Sequence, residues 1–114
     1  MANGNDNIDV VQLVSDSLHD LNMKLASMLP NEPGFDALEH KRDELEVKFK
    51  RLVRGFFVNN TQRFIKANDA LVTVNNRMRA SLTGLQNLQD TIDAINGVVS
   101  ALDQFISTVF PLAA

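Results

Sequence analysis

Residues 64–109 read FIKANDALVTVNNRMRASLTGLQNLQDTIDAINGVVSALDQFISTV. Apolar side chains recur here every seven residues in two columns, and thirteen of the fourteen column positions are apolar. The columns are Phe64, Leu71, Met78, Leu85, Ile92, Val99 and Ile106, and Ala67, Val74, Ser81, Leu88, Ile95, Leu102 and Val109. A seven-residue repeat lines one side of an α-helix. Because a turn would normally reset the register, the pattern predicts one helix over about residues 61–110, roughly 70 Å long at the standard rise.

A break near residue 84 is the alternative to this long helix. The run Thr83-Gly84-Leu85-Gln86 has the spacing of a capping box, which marks the first turn of a new helix. The columns beside the repeat include small and apolar residues and lack the Glu and Lys pairs of two-stranded coiled coils. A broad buried stripe favours a bundle of three or more helices. With the break, the chain would form four helices in an up-down bundle.

Two further helices are predicted before the repeat. The first has an apolar series that steps by three and four residues: Val11, Val14, Leu18, Leu21, Leu25 and Met28. It should cover about residues 8–29, because Pro30 and Pro33 follow. The second should cover residues 36–58, with an apolar side made of Leu38, Leu45, Phe49, Leu52 and Phe56.

The end of the second helix is predicted from a change of register. Asn59 and Asn60 can turn the chain, and Thr61 can cap the next helix. A four-residue stutter within one continuous helix is the alternative. The predicted fold is therefore all-α, with a flexible tail over residues 1–7 and a single helical domain over residues 8–114. We expect an elongated hairpin or bundle of three helices with a long C-terminal heptad helix, and a four-helix up-down bundle is the alternative.

The composition excludes several classes of protein. No Cys, Trp or Tyr occurs, so disulfide bonds and thiolate metal sites are ruled out. Hydrophobic residues make up 45% of the chain, which is enough to form a core. The first residues are polar and acidic, unlike a secretory signal, so we expect a cytoplasmic protein. Residues 97–114 carry one charge, but Asp103, Gln104 and Pro111 argue against a membrane span there.

Candidate metal ligands and catalytic residues are few. Asp16 and His19 have the three-residue spacing of the carboxylate–histidine pairs in di-iron bundles, and Asp36, His40 and Glu44 step four apart. The sequence lacks the second matched pair that such a site needs. It also lacks a nucleophilic Cys, a Gly-rich phosphate loop and a strand–turn–helix elbow. We therefore expect no enzymatic activity, no cofactor and no metal site.

Charge is strongly segregated along the chain, although the net charge is only −3. Residues 1–46 hold three basic and ten acidic side chains, whereas residues 80–114 hold three Asp and no base. The eight cations between them are Lys48, Lys50, Arg51, Arg54, Arg63, Lys66, Arg77 and Arg79. These cations could face an anionic partner, or they could pair with the acidic first third of the chain, within one subunit or between two. The negative net charge favours pairing. Asp9 and Asp16 lie seven apart on the outer face of the first helix, away from its apolar stripe, which predicts that the pairing occurs between two subunits.

The heptad stripe suggests the function. We expect a non-enzymatic helical scaffold or adaptor that packs against itself or a protein partner. Its interaction seam would comprise Leu71, Met78, Leu85, Leu88, Ile92, Ile95, Val99, Leu102 and Ile106. A helix of about 70 Å would be left partly uncovered by the shorter first helix, which predicts a homo-oligomer, a dimer. The alternative function is binding of nucleic acid or an anionic membrane through residues 48–79, with nucleic acid disfavoured by the net charge.

Overall fold

Four α-helices make up the described part of the chain. The computed structural model describes residues 9–58, 67–83 and 88–110. The helices are α1 (Val10–Ala26), α2 (Phe35–Val58), α3 (Asp69–Thr83) and α4 (Leu88–Val109). The all-helical prediction is confirmed, while the tail predicted over residues 1–7 lies outside the described residues.

Helix α1 forms where its apolar series predicted, with slightly shorter bounds. Asp9 occupies the N-cap position with an extended backbone, φ −67° and ψ 130°. At the other end, the hydroxyl of Ser27 donates a hydrogen bond of 2.6 Å to the carbonyl of Lys24 and so satisfies one of the last free acceptors. The helix therefore ends at Ala26, three residues before the end predicted from Pro30.

Helix α2 begins at Phe35, directly after the positive-φ residue Gly34. The φ of 88° at Gly34 belongs to the left-handed region that side chains with a Cβ rarely adopt. A Cβ built on Gly34 would also overlap the side chain of Leu88. The turn therefore favours glycine here through its positive φ, and a larger residue would also have to displace the Leu88 side chain.

The continuous helix predicted over residues 61–110 is wrong, and the four-helix alternative is confirmed. Helices α3 and α4 pack side by side, with Val74 beside Gly97 and Ser81 near Thr91, so the chain reverses between them. The molecule is compact instead of elongated, since its longest dimension is 43 Å. The seven-residue spacing of apolar residues continues from α3 into α4 although the two helices are separate. An unbroken repeat in the sequence therefore does not require an unbroken helix.

The third helix also begins later than predicted. The side-chain oxygen of Asn68 accepts a hydrogen bond of 2.8 Å from the backbone N–H of Leu71, which makes Asn68 the N-cap of α3. Asp69 follows in the first turn, where its charge suits the helix dipole. The turn and cap predicted at residues 59–61 lie outside the described residues.

The helices form a ring in the order α1, α2, α4, α3. Helix α1 packs against α2 and α3, and α4 packs against the same two helices from the opposite corner. Contacts between side chains fix the directions. Ser17 and Asp20 of α1 meet Asn75 and Arg79 of α3, so α1 and α3 run parallel. Helices α2 and α4 also run parallel, from Leu88 beside Gly34 at one end to Phe110 near Gly55 at the other.

Successive helices nevertheless alternate in direction. Arg42 of α2 bonds Asn22 of α1, and Phe49 lies near Leu18 seven residues further along α2, so α1 and α2 are antiparallel. Helices α3 and α4 are antiparallel, because Val74 lies beside Gly97 and Ser81 lies near Thr91. The directions are therefore up, down, up, down, and each helix has one parallel and one antiparallel neighbour.

The core fills the space inside this ring. Its fully buried large side chains include Leu21, Leu38, Leu45, Leu52, Leu71, Met78, Ile95, Leu102 and Ile106. One polar pair is buried among them, with the Ser17 hydroxyl donating a hydrogen bond of 2.7 Å to the Asn75 side-chain oxygen. The Asn75 amide donates in turn to the Leu71 carbonyl at 2.8 Å. In the described part of the chain, no buried side-chain polar atom lacks a hydrogen-bond partner.

Candidate interaction surface

The predicted interaction seam lies inside the bundle. Five of its members are fully buried within the single chain: Leu71, Met78, Ile95, Leu102 and Ile106. Val99 is 8% exposed, Leu88 and Ile92 are half-buried, and Leu85 lies outside the described residues. The chain's own helices therefore cover the seam. The half-covered long helix from which a dimer was predicted does not exist, so any binding surface has to be sought on the outside.

Of the six basic-segment cations that the structure describes, three pair with carboxylates of neighbouring helices. Lys48 and Arg51 of α2 approach Asp103 of α4 at 3.1 and 3.3 Å. Arg79 of α3 approaches Asp20 of α1 at 2.6 Å. Arg79 therefore pairs with the acidic first third, but within one chain instead of between two subunits as predicted. Lys48 and Arg51 instead pair with the last third, because α4 is the neighbour that lies beside the second half of α2.

The remaining described cations do not form one patch. The Lys50 side chain is 75% exposed and lies 4.0 Å from Glu46 of its own helix. Arg54 and Arg77 are exposed, and within the described ranges neither makes an ion pair. Arg54 belongs to α2 and Arg77 to α3, which occupy opposite corners of the ring. Arg63 and Lys66 lie outside the described residues.

The outer face of α2 carries large apolar side chains that are exposed among the described residues. Phe57 is 86% exposed, Val47 55% and Val53 45%. The inner stripe of the same helix is already complete, since Leu38, Leu45 and Leu52 are fully buried. At 100° per residue, Val47, Lys50, Val53, Arg54 and Phe57 fall within about 120° of the helix circumference, opposite that stripe. We call these five residues the α2 outer face.

Charge along α2 is divided between its two halves. Residues 35–46 hold five carboxylates and two cations, net −3, whereas residues 47–58 hold four cations and no carboxylate, net +4. The division reaches the exposed side, where Asp36 and Asp43 of the first half are exposed in line with Lys50 and Arg54 of the second. Exposed apolar side chains therefore sit on a surface whose charge changes sign along the helix axis.

A groove of about 360 Å³ runs between α1 and α2 beside this face. It is lined by Ser15, Leu18, His19, Asn22, Glu46, Phe49 and Lys50. A second cavity of about 160 Å³ lies at the opposite end of the bundle, where Leu38, Ser81 and Thr91 meet. Among the described residues that line them, no hydroxyl is hydrogen-bonded to a histidine or carboxylate base.

The described residues bring no three His, Asp or Glu side chains together at a point where a metal ion could bind. Asp16 instead accepts a hydrogen bond of 2.7 Å from Gln12 on the surface of α1. No helix in the described ranges is long and apolar enough to cross a bilayer. The most distinctive surface feature is thus the α2 outer face.

Val47, Val53 and Phe57 belong to none of the stripes predicted from the sequence. Their signal is a second apolar series on α2, spaced six and four residues apart, which the inner stripe of Leu38, Leu45 and Leu52 does not include. Comparison with known proteins finds no matching family model, curated protein or solved structure.

Proposed function

We propose that this chain is a non-enzymatic helical scaffold or adaptor that packs the α2 outer face against a helix of another protein molecule. The observation that carries the proposal is the 86% exposure of Phe57, next to Val53 one turn away and Val47 further along the same face. Water solvates such side chains poorly, and fully burying a Phe or Val contributes about 1.5–3 kcal/mol. A partner that covers this face gains that free energy.

The mixed chemistry of the face supports a protein partner. Interfaces are enriched in aromatic side chains and in Arg, and their apolar centre is bordered by polar groups. Phe57 and Val53 would provide the apolar anchor, while Lys50 and Arg54 border it. Apolar residues one helical turn apart are also how amphipathic helices dock onto partner helices and grooves.

Binding of nucleic acid or an anionic membrane is the second candidate. Lys50 and Arg54 beside Phe57 are the observation in its favour, because cations next to an apolar anchor suit anionic surfaces. Against it, Lys48, Arg51 and Arg79 are engaged by carboxylates, and the net charge of the chain is −3. Salt-dependent binding to DNA or to vesicles of anionic lipid would support this candidate over a protein partner.

Site-specific photo-crosslinking tests the proposal. A benzophenone amino acid is placed at position 57, on the proposed contact, and for comparison at position 100, where Ser100 is exposed on the outer side of α4. We expect irradiation of the cells that produce the protein to give discrete protein adducts from position 57 and none from position 100. Equal labelling at both positions, or no adduct at position 57, would reject the proposal.

A further inference from the structure

We infer that the partner of the α2 outer face is a second copy of this chain, with the two α2 helices packed antiparallel across a two-fold axis. The inference rests on the proposed function, because it names the occupant of the same surface. It is carried by the division of charge along the exposed side of α2, where Asp36 and Asp43 lie in the first half and Lys50 and Arg54 in the second. Lys48 and Arg51 do not add to it, because Asp103 of the same chain already engages both. An antiparallel pair sets each acidic half against a basic half, whereas a parallel pair would set like charges together.

The positions of the charges locate the two-fold axis. If the axis passes between Lys48 and Phe49, residues whose numbers sum to 97 lie opposite each other. Arg54 of each copy then faces Asp43 of the other, and Phe57 faces His40. All four are exposed on one side of the helix, so no rearrangement of the bundle is needed. Isologous contact of this kind closes at two copies.

The other described helices lack this combination. The exposed large apolar side chains of α1 and α4 are single residues, Met23 and Val109, and α3 has none. Helix α4 contains no cation at all. Helix α2 thus joins several exposed apolar side chains to opposite charges on the same surface, which is what self-complementarity requires.

The expected dimer is weak and reversible. A single pair of helices buries less than the roughly 800 Å² per partner of a standard stable interface. Exposed ion pairs set the orientation more than the affinity. We therefore expect monomer and dimer to exchange, with the dimer populated at concentrations of about 100 µM and above.

Two single charge reversals at the same predicted contact test the inference. In sedimentation equilibrium, the unaltered chain should dimerise. Arg54→Glu alone and Asp43→Lys alone should each weaken dimerisation about ten-fold or more, because each creates two repulsive contacts. An equimolar mixture of the two variants should recover association, since the carboxylate introduced at position 54 then meets the ammonium introduced at position 43. Circular dichroism of each variant confirms that the helices persist.

Two results would overturn the inference. One is an unaltered chain that stays monomeric up to about 1 mM, a range in which even millimolar affinity is visible. The other is a mixture that associates no better than the separate variants. The photo-crosslinking experiment separates the two proposals. Adducts from position 57 whose mass differs from twice that of the chain would support the proposed function and contradict the inference that the partner is a second copy. Adducts of twice the chain mass support both.

Discussion

Helices α2 and α4 are similar in length, 24 and 22 residues, but they use their apolar side chains differently. Helix α4 turns Ile95, Val98, Leu102, Phe105 and Ile106 into the core, and the only large apolar side chain it leaves exposed is Val109, at 36%. Helix α2 completes an inner stripe and then presents a second apolar series to solvent. Among the described residues, α4 therefore buries nearly all of its large apolar side chains, whereas α2 leaves Val47, Val53 and Phe57 exposed.

The largest expected effect comes from charging the inner side of α4. Ile95→Asp places a carboxylate at a fully buried position, where an unpaired charge and lost packing together cost more than about 4 kcal/mol. Domains of this size are stable by about 5–15 kcal/mol, so we expect most of the cooperative unfolding transition to be lost. Asn96→Asp introduces the same group at the exposed neighbouring position and should melt like the unaltered chain. Similar thermal unfolding curves for the two variants would contradict the assignment of α4.

A smaller effect is expected where α2 and α4 meet through charge. Asp103→Asn removes the carboxylate that both Lys48 and Arg51 approach. The Asp103 side chain is 40% exposed, so screening by solvent limits the loss to about 0.5–1 kcal/mol in the free energy of unfolding. The loss should shrink in about 1 M NaCl, where the screening length is about 3 Å.

Asp93→Asn is the matched control for this substitution. Asp93 is also a carboxylate of α4, but it accepts a hydrogen bond from Gln89 on its own helix instead of contacting α2. Chemical denaturation should give a smaller change for Asp93→Asn, with little dependence on salt. An equal loss for both variants would mean that the α2–α4 pairs contribute nothing specific.

The smallest effect on stability is expected on the α2 outer face. Phe57→Ser should change the free energy of unfolding by no more than about 0.5 kcal/mol, because the ring is 86% exposed in the folded chain. Leu52→Ser, five residues earlier on the buried side, should cost several times as much. Denaturation of both variants at low protein concentration checks this, because dimerisation would otherwise add to the apparent stability. A large loss for Phe57→Ser would mean that the ring belongs to the core.

The sequence predicted the helical class and the inner stripes because periodic apolar spacing reports directly on which side of a helix is buried. It could not decide whether the chain turns between α3 and α4. The heptad columns run through residues 78–92 without a change of phase, and Gly84 is tolerated both within a helix and at its end. Only the packing of α4 along α3 distinguishes the two arrangements.

The ion pairs between helices could not be predicted from the sequence for a related reason. Which carboxylate meets Arg51 depends on which helix lies beside α2, and ring order is a property of the whole bundle. The spacing of Val47, Val53 and Phe57 is present in the sequence, but single exposed apolar side chains are ordinary on protein surfaces. Only the structure shows that the inner stripe fills the buried side of α2 while these three side chains stay exposed.

The buried Ser17–Asn75 hydrogen bond fixes the position of α1 along the axis of α3. Apolar side chains tolerate many longitudinal positions, because a shift by one turn replaces one Leu or Val contact with another. A shift of one turn moves Ser17 by about 5.4 Å, beyond hydrogen-bond reach of Asn75. Two polar groups that are both fully buried would then lose a bond of 2.7 Å, at a cost of about 1–3 kcal/mol for the unsatisfied group. A bundle that collapses with α1 one turn out of place is therefore disfavoured, and the helices settle in a single alignment.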